Sequence, residues 1–176
     1  TQSVQGPTAI NIYERKDGNI LEVDALRVIW EIEDKMVNTP GYPDFCYKQD
    51  LSELPEEIAQ QYRQNINSTT NCNYFQSIIV YLKQIIALST GNPNPTPNDL
   101  KQEHITALLT SPNGQTIVGA FISKDFTSTP VPSAKIIRTM FTMGYPLKGY
   151  NNINDRNDEQ IDKVKEFGKD FTKIFF

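Results

Sequence analysis

The chain has 176 residues, a formal net charge of −4, 38% hydrophobic and 22% charged residues, which describes a folded segment long enough to bury a core and excludes a disordered one. The acidic balance, with no block of Lys or Arg, gives no reason to expect a nucleic-acid partner. Two cysteines are too few for a disulfide scaffold or a self-contained zinc site, and are the right number for one staple.

In chain order, "TAINIY" (8–13) alternates and predicts a short strand, and the Asp-Gly pair of "KDGN" predicts a turn. From Glu22 to Val37, Ala25, Val28, Ile29, Ile32 and Met36 recur at helical spacing, with Glu31, Asp34 and Lys35 on other faces. "NTPGYP" stops that helix. "LSELPEEIAQQYRQ", from Leu51, opens on a capping signal and predicts a short helix, followed by the polar loop "NINSTTN". The span Cys72 to Leu88 predicts a helix whose broad apolar face includes Phe75, Ile78, Ile79, Leu82, Ile85 and Ile86. That span is too short and too polar to cross a membrane. Thr96, Pro97 and Asp99 open a further helix through Leu109.

Past "SPNG" the period changes to two, and "QTIVGAFISKDF" (115–126) and "AKIIRTMFTM" (134–143) both read as strands. Asn157 with Gln160 forms a capping box for a last helix carrying Ile161, Val164, Phe167, Phe171 and Ile174 on one face. The expected fold is α+β, with helices on one face of a small antiparallel sheet. It reads as a single domain over 1–176, with a β-α core at 8–47 and 115–176 and a helical insertion at about 48–110. A chain that opens on Thr1 with no signal peptide is expected to be an excised piece or a mature product.

Chemistry is sparse. Cys72, at the expected start of a helix where the dipole favours a thiolate, and His104 form the minimum for nucleophilic catalysis and superficially resemble NlpC-type cell-wall amidases. The Asp-Cys-Ser-Gly turn of that family is missing, His104 falls inside a helix, and the spacing of 32 residues is short. His104 is therefore read as structural, and no enzyme is expected. Cys46, Cys72 and His104 lack a CxxC or HxxxH anchor, so neither a metal nor another cofactor is expected. The carboxylates of "EIEDK" and "NDEQ" read as solvated helix faces and first turns. Asn67-Ser68-Thr69 is a glycosylation sequon in a polar loop. A Cys46–Cys72 disulfide is the reading that fits best, since Cys46 follows the first helix, Cys72 begins the long one, and the segment between is mostly polar.

Two blocks carry a resemblance. "GNILEVDALRVIWEIEDKMVNTPGYPDFCY" contains Asn19, Ile20 and Leu21, then Tyr42, Asp44, Phe45 and Cys46. "AKIIRTMFTMGYPLKGYNNINDRNDEQIDKVKEFGKDFTKIF" contains Gly144, Pro146, Leu147, Gly149 and Tyr150, then Asp155, Arg156 and Gln160. Together they resemble the two ends of the first large extracellular loop of Patched- and Dispatched-type proteins, in the resistance–nodulation–division (RND) superfamily. The resemblance implies a ferredoxin-like porter subdomain with inserted helices, and Cys72 as the partner of Cys46. It implies an exoplasmic domain without chemistry of its own, contributing to a sterol or lipid conduit or to a partner-binding surface. The implied partners are a second extracellular domain and the membrane helices of a parent chain, with sterol, another lipid or a lipidated protein as ligand. Phe121, Phe126, Met140, Phe141 and Met143 are the candidate lipid liners, with ordinary core as their alternative role. A stand-alone secreted binding domain and a secreted Cys-His hydrolase are the alternative functions.

Overall fold

In the computed structural model, which describes residues 2–48, 50–52, 55–56, 59–60, 72–73, 76–111, 114–128 and 131–173 (the side chains of 115 and 170–173 excepted), the order begins β1 (Val4–Glu14), α1 (Val23–Val37), α2 (Tyr42–Phe45) and α3 (Ile78–Thr90). It continues with α4 (Gln102–Thr110), α5 (Gly114–Phe121), β2 (Ile136–Tyr145) and α6 (Asn157–Lys173). A 3-10 turn at Pro97–Asp99 lies between α3 and α4. The architecture is α+β, with β1 and β2 paired as a two-stranded antiparallel sheet. The helix expected from Leu51 falls largely outside the described residues, as does the sequon at Asn67.

The chain divides into two compact units. One comprises Ile10–Asp34 and Gln76–Met140; the other comprises Thr1–Ala9, Lys35–Phe75 and Phe141–Phe176. The first holds the larger hydrophobic cluster, which includes Leu26, Ile29 and Trp30 from α1, Ile79, Leu82 and Ile86 from α3, Ile105 and Leu108 from α4, and Ile137 from β2. Arg27 braces this unit from outside the cluster. Its Nε donates to Pro97 O at 2.9 Å and its Nη2 to Leu100 O at 3.0 Å, binding carbonyls of the turn and of its exit.

Four local expectations change. The face that α1 buries is Leu26, Ile29, Trp30, Glu33 and Met36, whereas Val28 is 56% exposed. The helix is rotated by about one residue from the expected phase, because the indole of Trp30 and the branched chain of Leu26 bury more hydrocarbon than Ala25 and Val28 do. Helix α3 starts at Ile78 and not at Cys72. Ser77 Oγ accepts from Ile79 N at 3.0 Å, which caps the helix there, while the backbone of Gln76 exchanges two 2.9 Å hydrogen bonds with Met140. The helix expected through Leu109 opens as the 3-10 turn, breaks at Leu100 and Lys101, and resumes as α4.

The largest change is at 115–126. The expected strand is instead the helix α5, and only Ile122 makes an isolated antiparallel bridge, to Ile137. The β-branched and Gly-containing run suits a strand locally, but Ile117 and Phe121 lie one helical turn apart and both enter the core. Gly114 makes this possible: a Cβ there would sit 2.3 Å from Leu109 O, so only glycine lets α5 start so close against α4.

The phase of α1 is open to direct measurement by urea unfolding. Leu26→Ala is expected to cost about 2–5 kcal/mol, as a fully buried leucine does. Val28→Ala is expected to stay within about 0.5 kcal/mol; equal losses at the two positions would contradict the observed face.

Candidate functional site

Of the residues that carry the resemblance, Tyr42, Asp44, Phe45 and Cys46 lie in one unit with Gly144, Pro146, Leu147, Gly149, Tyr150, Asp155, Arg156 and Gln160, and Asn19, Ile20 and Leu21 lie in the other. Helix α2 is a single turn, and Cys46 leaves it in extended conformation with its N–H donating to Tyr42 O at 3.0 Å. The extended backbone then pairs with the end of β2. Cys46 bridges Met143, and Tyr47 N donates to Thr142 O at 3.1 Å. Asn73 N donates to Tyr47 O at 2.8 Å, which brings the second cysteine alongside. Cys46 and Cys72 form a disulfide with a Cα–Cα separation of 5.6 Å, and both are buried.

Gly144 sits at the centre of this arrangement. A Cβ there would lie 2.6 Å from Gln2 O, 2.7 Å from Tyr47 Cα and 2.8 Å from Cys46 O. Two backbone segments, at Gln2 and at Cys46–Tyr47, therefore converge on a position that admits no side chain. The Phe45 ring stacks on Phe167 of α6, with centroids 4.2 Å apart, and Gln2 Nε2 donates to Asp44 O. Gln2, although polar, is buried by the same packing.

The loop after β2 is held by Gln160. Its Oε1 accepts from Leu147 N at 2.9 Å, and its Nε2 donates to Asp155 O at 2.7 Å and Asn152 O at 3.1 Å. Instead of closing a capping box with Asn157, the fully buried carboxamide reaches back and pins the loop from both sides. Above it, the Arg156 guanidinium lies 4.4 Å from the Tyr150 ring centroid and Lys163 Nζ 5.0 Å from it. Tyr150 Oη donates to Glu159 at 2.7 Å, a bond that lowers the Glu159 carboxyl below its ordinary value. In the other unit, Asn19 has a comparable role. Its Oδ1 accepts from Leu21 N and Ala134 N, and its Nδ2 donates to Pro132 O, so the "Asn-Ile-Leu" start is a backbone clamp.

Neither cysteine is available as a nucleophile, because each sulfur is spent on the other. His104 lies in the first turn of α4, where its Nδ1 accepts from Lys101 N at 3.2 Å. That acceptor role leaves Nε2 as the protonated nitrogen, facing Ser89 Oγ at 3.5 Å. The histidine is a buried cap. Among the described residues, no group of three His, Cys, Asp or Glu side chains could hold a metal ion, and no helix is long and apolar enough to cross a membrane. Of the candidate lipid liners, Phe121, Phe141 and Met143 are buried, and Phe126 and Met140 pack half-buried against the core.

One group escaped the sequence reading. Glu33, within "EIEDK", is fully buried and not solvated. It accepts hydrogen bonds from Ser77 and Thr139. Its position three and four residues after Trp30 and Ile29 was the available signal, since it places a carboxyl on the apolar face.

The convergence on Gly144 and the disulfide can be tested by thermal and denaturant unfolding. Gly144→Ala is expected to cost about 1–3 kcal/mol through overpacking against rigid backbone. Replacing both cysteines by serine is expected to cost about 3 kcal/mol for a closed loop of this length in the chain-entropy model. A Gly144→Ala protein as stable as the parent would mean that the two segments do not converge as described. Comparison of the chain with protein-family models, curated proteins and solved structures finds no match.

Proposed function

We propose that the chain is a non-enzymatic exoplasmic domain of a Patched/Dispatched-like RND membrane protein, serving as a partner-binding surface or as part of a sterol or lipid conduit. The observation that carries the reading is the meeting of the "Tyr-x-Asp-Phe-Cys" and "Gly-x-Pro-Leu-x-Gly-Tyr" segments, some 100 residues apart in sequence, around one disulfide. In such a domain these residues have structural duties, and their duties here are structural: stacking, backbone pairing, clamping a loop. A buried disulfide suits an oxidising, exoplasmic setting. The order strand, helix, helices, strand, helix is compatible with a ferredoxin-like porter subdomain in which one sheet strand is replaced by α5. Because the expected lipid liners are committed to the core, any conduit would be completed by the second extracellular domain and membrane helices of the parent.

The reading makes a test possible on the full-length parent. The coding sequence should place apolar spans of about 20 residues close to both ends of this segment. When the parent is expressed in a secretory cell, an endoglycosidase-sensitive mass should disappear in Asn67→Gln. Flanks without spans would favour a stand-alone secreted binding domain. Spans with this segment protease-protected on the cytoplasmic side would overturn the exoplasmic assignment.

A further inference from the structure

Glu33 has no part in the disulfide module, yet it sits, fully buried, where three elements meet. Its Oε1 accepts from Thr139 Oγ1 of β2. Ser77 Oγ, at the start of α3, lies 2.9 Å from both Oε1 and Oε2 while accepting from Ile79 N. Ser77 has one hydroxyl hydrogen, shared between the two carboxyl oxygens. Two hydroxyl hydrogens thus serve a group with about four acceptor sites. Among the described residues no Lys or Arg forms an ion pair with it. Lys83 on α3 faces the site, but its Nζ bonds Asp34 at 2.7 Å.

Of the facing groups, the Ser77 and Thr139 hydroxyls and the Lys83 ammonium favour a charge, and burial outweighs them. Asp34 on α1 itself adds a second negative group, and β1 presents Tyr13, whose buried hydroxyl makes no hydrogen bond of normal geometry. From β2 comes only the uncharged Thr139. A carboxylate here would be buried without a paired cation, which the low-dielectric interior opposes.

We propose that Glu33 is a proton-operated latch: as the neutral acid it lets α1, the start of α3 and β2 close around it, and on ionising it leaves a charge without a paired cation in the core, which drives them open. Burial pushes its carboxyl up to about 7, against an ordinary value of 4.5. The folded form therefore binds the proton more tightly than the unfolded chain. The stabilisation is complete below the unfolded value and is lost as pH rises through about 7. The latch closes in acid and opens toward alkaline pH, and the cap at Ser77 is its release point. It depends on these residues alone, whatever protein carries the domain.

Denaturant unfolding of the wild type and Glu33→Gln between pH 5 and pH 8 tests the latch. The wild-type unfolding constant is expected to rise on the order of a hundredfold over that interval, and Glu33→Gln, a neutral isostere, is expected to lose most of the rise. An equal pH dependence in both proteins would overturn the proposal. Should Glu33→Gln fail to fold, hydrogen exchange of the Ile79 amide in the wild type decides. Protection, corrected for the intrinsic rate, should fall from pH 5 to pH 8; constant protection would overturn the latch.

Discussion

A helix face that carries one carboxyl among hydrocarbon must find hydrogen-bond donors on other elements, and the unit formed by Ile10–Asp34 and Gln76–Met140 depends on how Glu33 meets that demand. Leu26, Ile29 and Trp30 turn the α1 face inward, and Glu33 follows because helical geometry gives it the same face. Satisfying it requires Ser77 and Thr139 to point at one spot. That requirement bears on where α3 begins and which face of β2 turns inward. Ser77 serves twice, as donor to the carboxyl and as cap for Ile79, so the polar site and the helix start are coupled.

In the other unit the corresponding constraint is covalent and steric. The Cys46–Cys72 bond closes a segment containing the polar stretch around the sequon, and Gly144 allows the backbones of Gln2, Cys46 and Tyr47 to approach. Around that point the polar side chains Gln2 and Gln160 are buried because each carboxamide binds backbone groups that would otherwise be unsatisfied. Sulfur, glycine and carboxamide here all act on the backbone, which is the signature of a framework.

Much of the framework was legible in the residues. The strand at 8–13, the helix at 22–37, the strand at 134–143 and the terminal helix all appear, because strong periodicity and flanking turn residues agree with the tertiary outcome. The disulfide was legible as well, from two cysteines with no other chemistry at hand. At 115–126 local preference and packing disagreed: β-branched residues suit a strand, yet α5 forms because Ile117 and Phe121 gain more by burial as a helical pair. The start of α3 was misplaced for a related reason, since the apolar run continues upstream of a cap that competes for the backbone.

The sequence by itself determined the class of fold and the position of the main elements, because these follow from composition and short-range periodicity. Tertiary structure alone decided the phase of α1, the conversion of a strand into α5, the convergence of two backbone segments on Gly144 and the burial of Glu33. Each of these depends on which distant atoms share a volume. A one-residue rotation of a helix moves a carboxyl from water to core while leaving the pattern of apolar spacing almost unchanged.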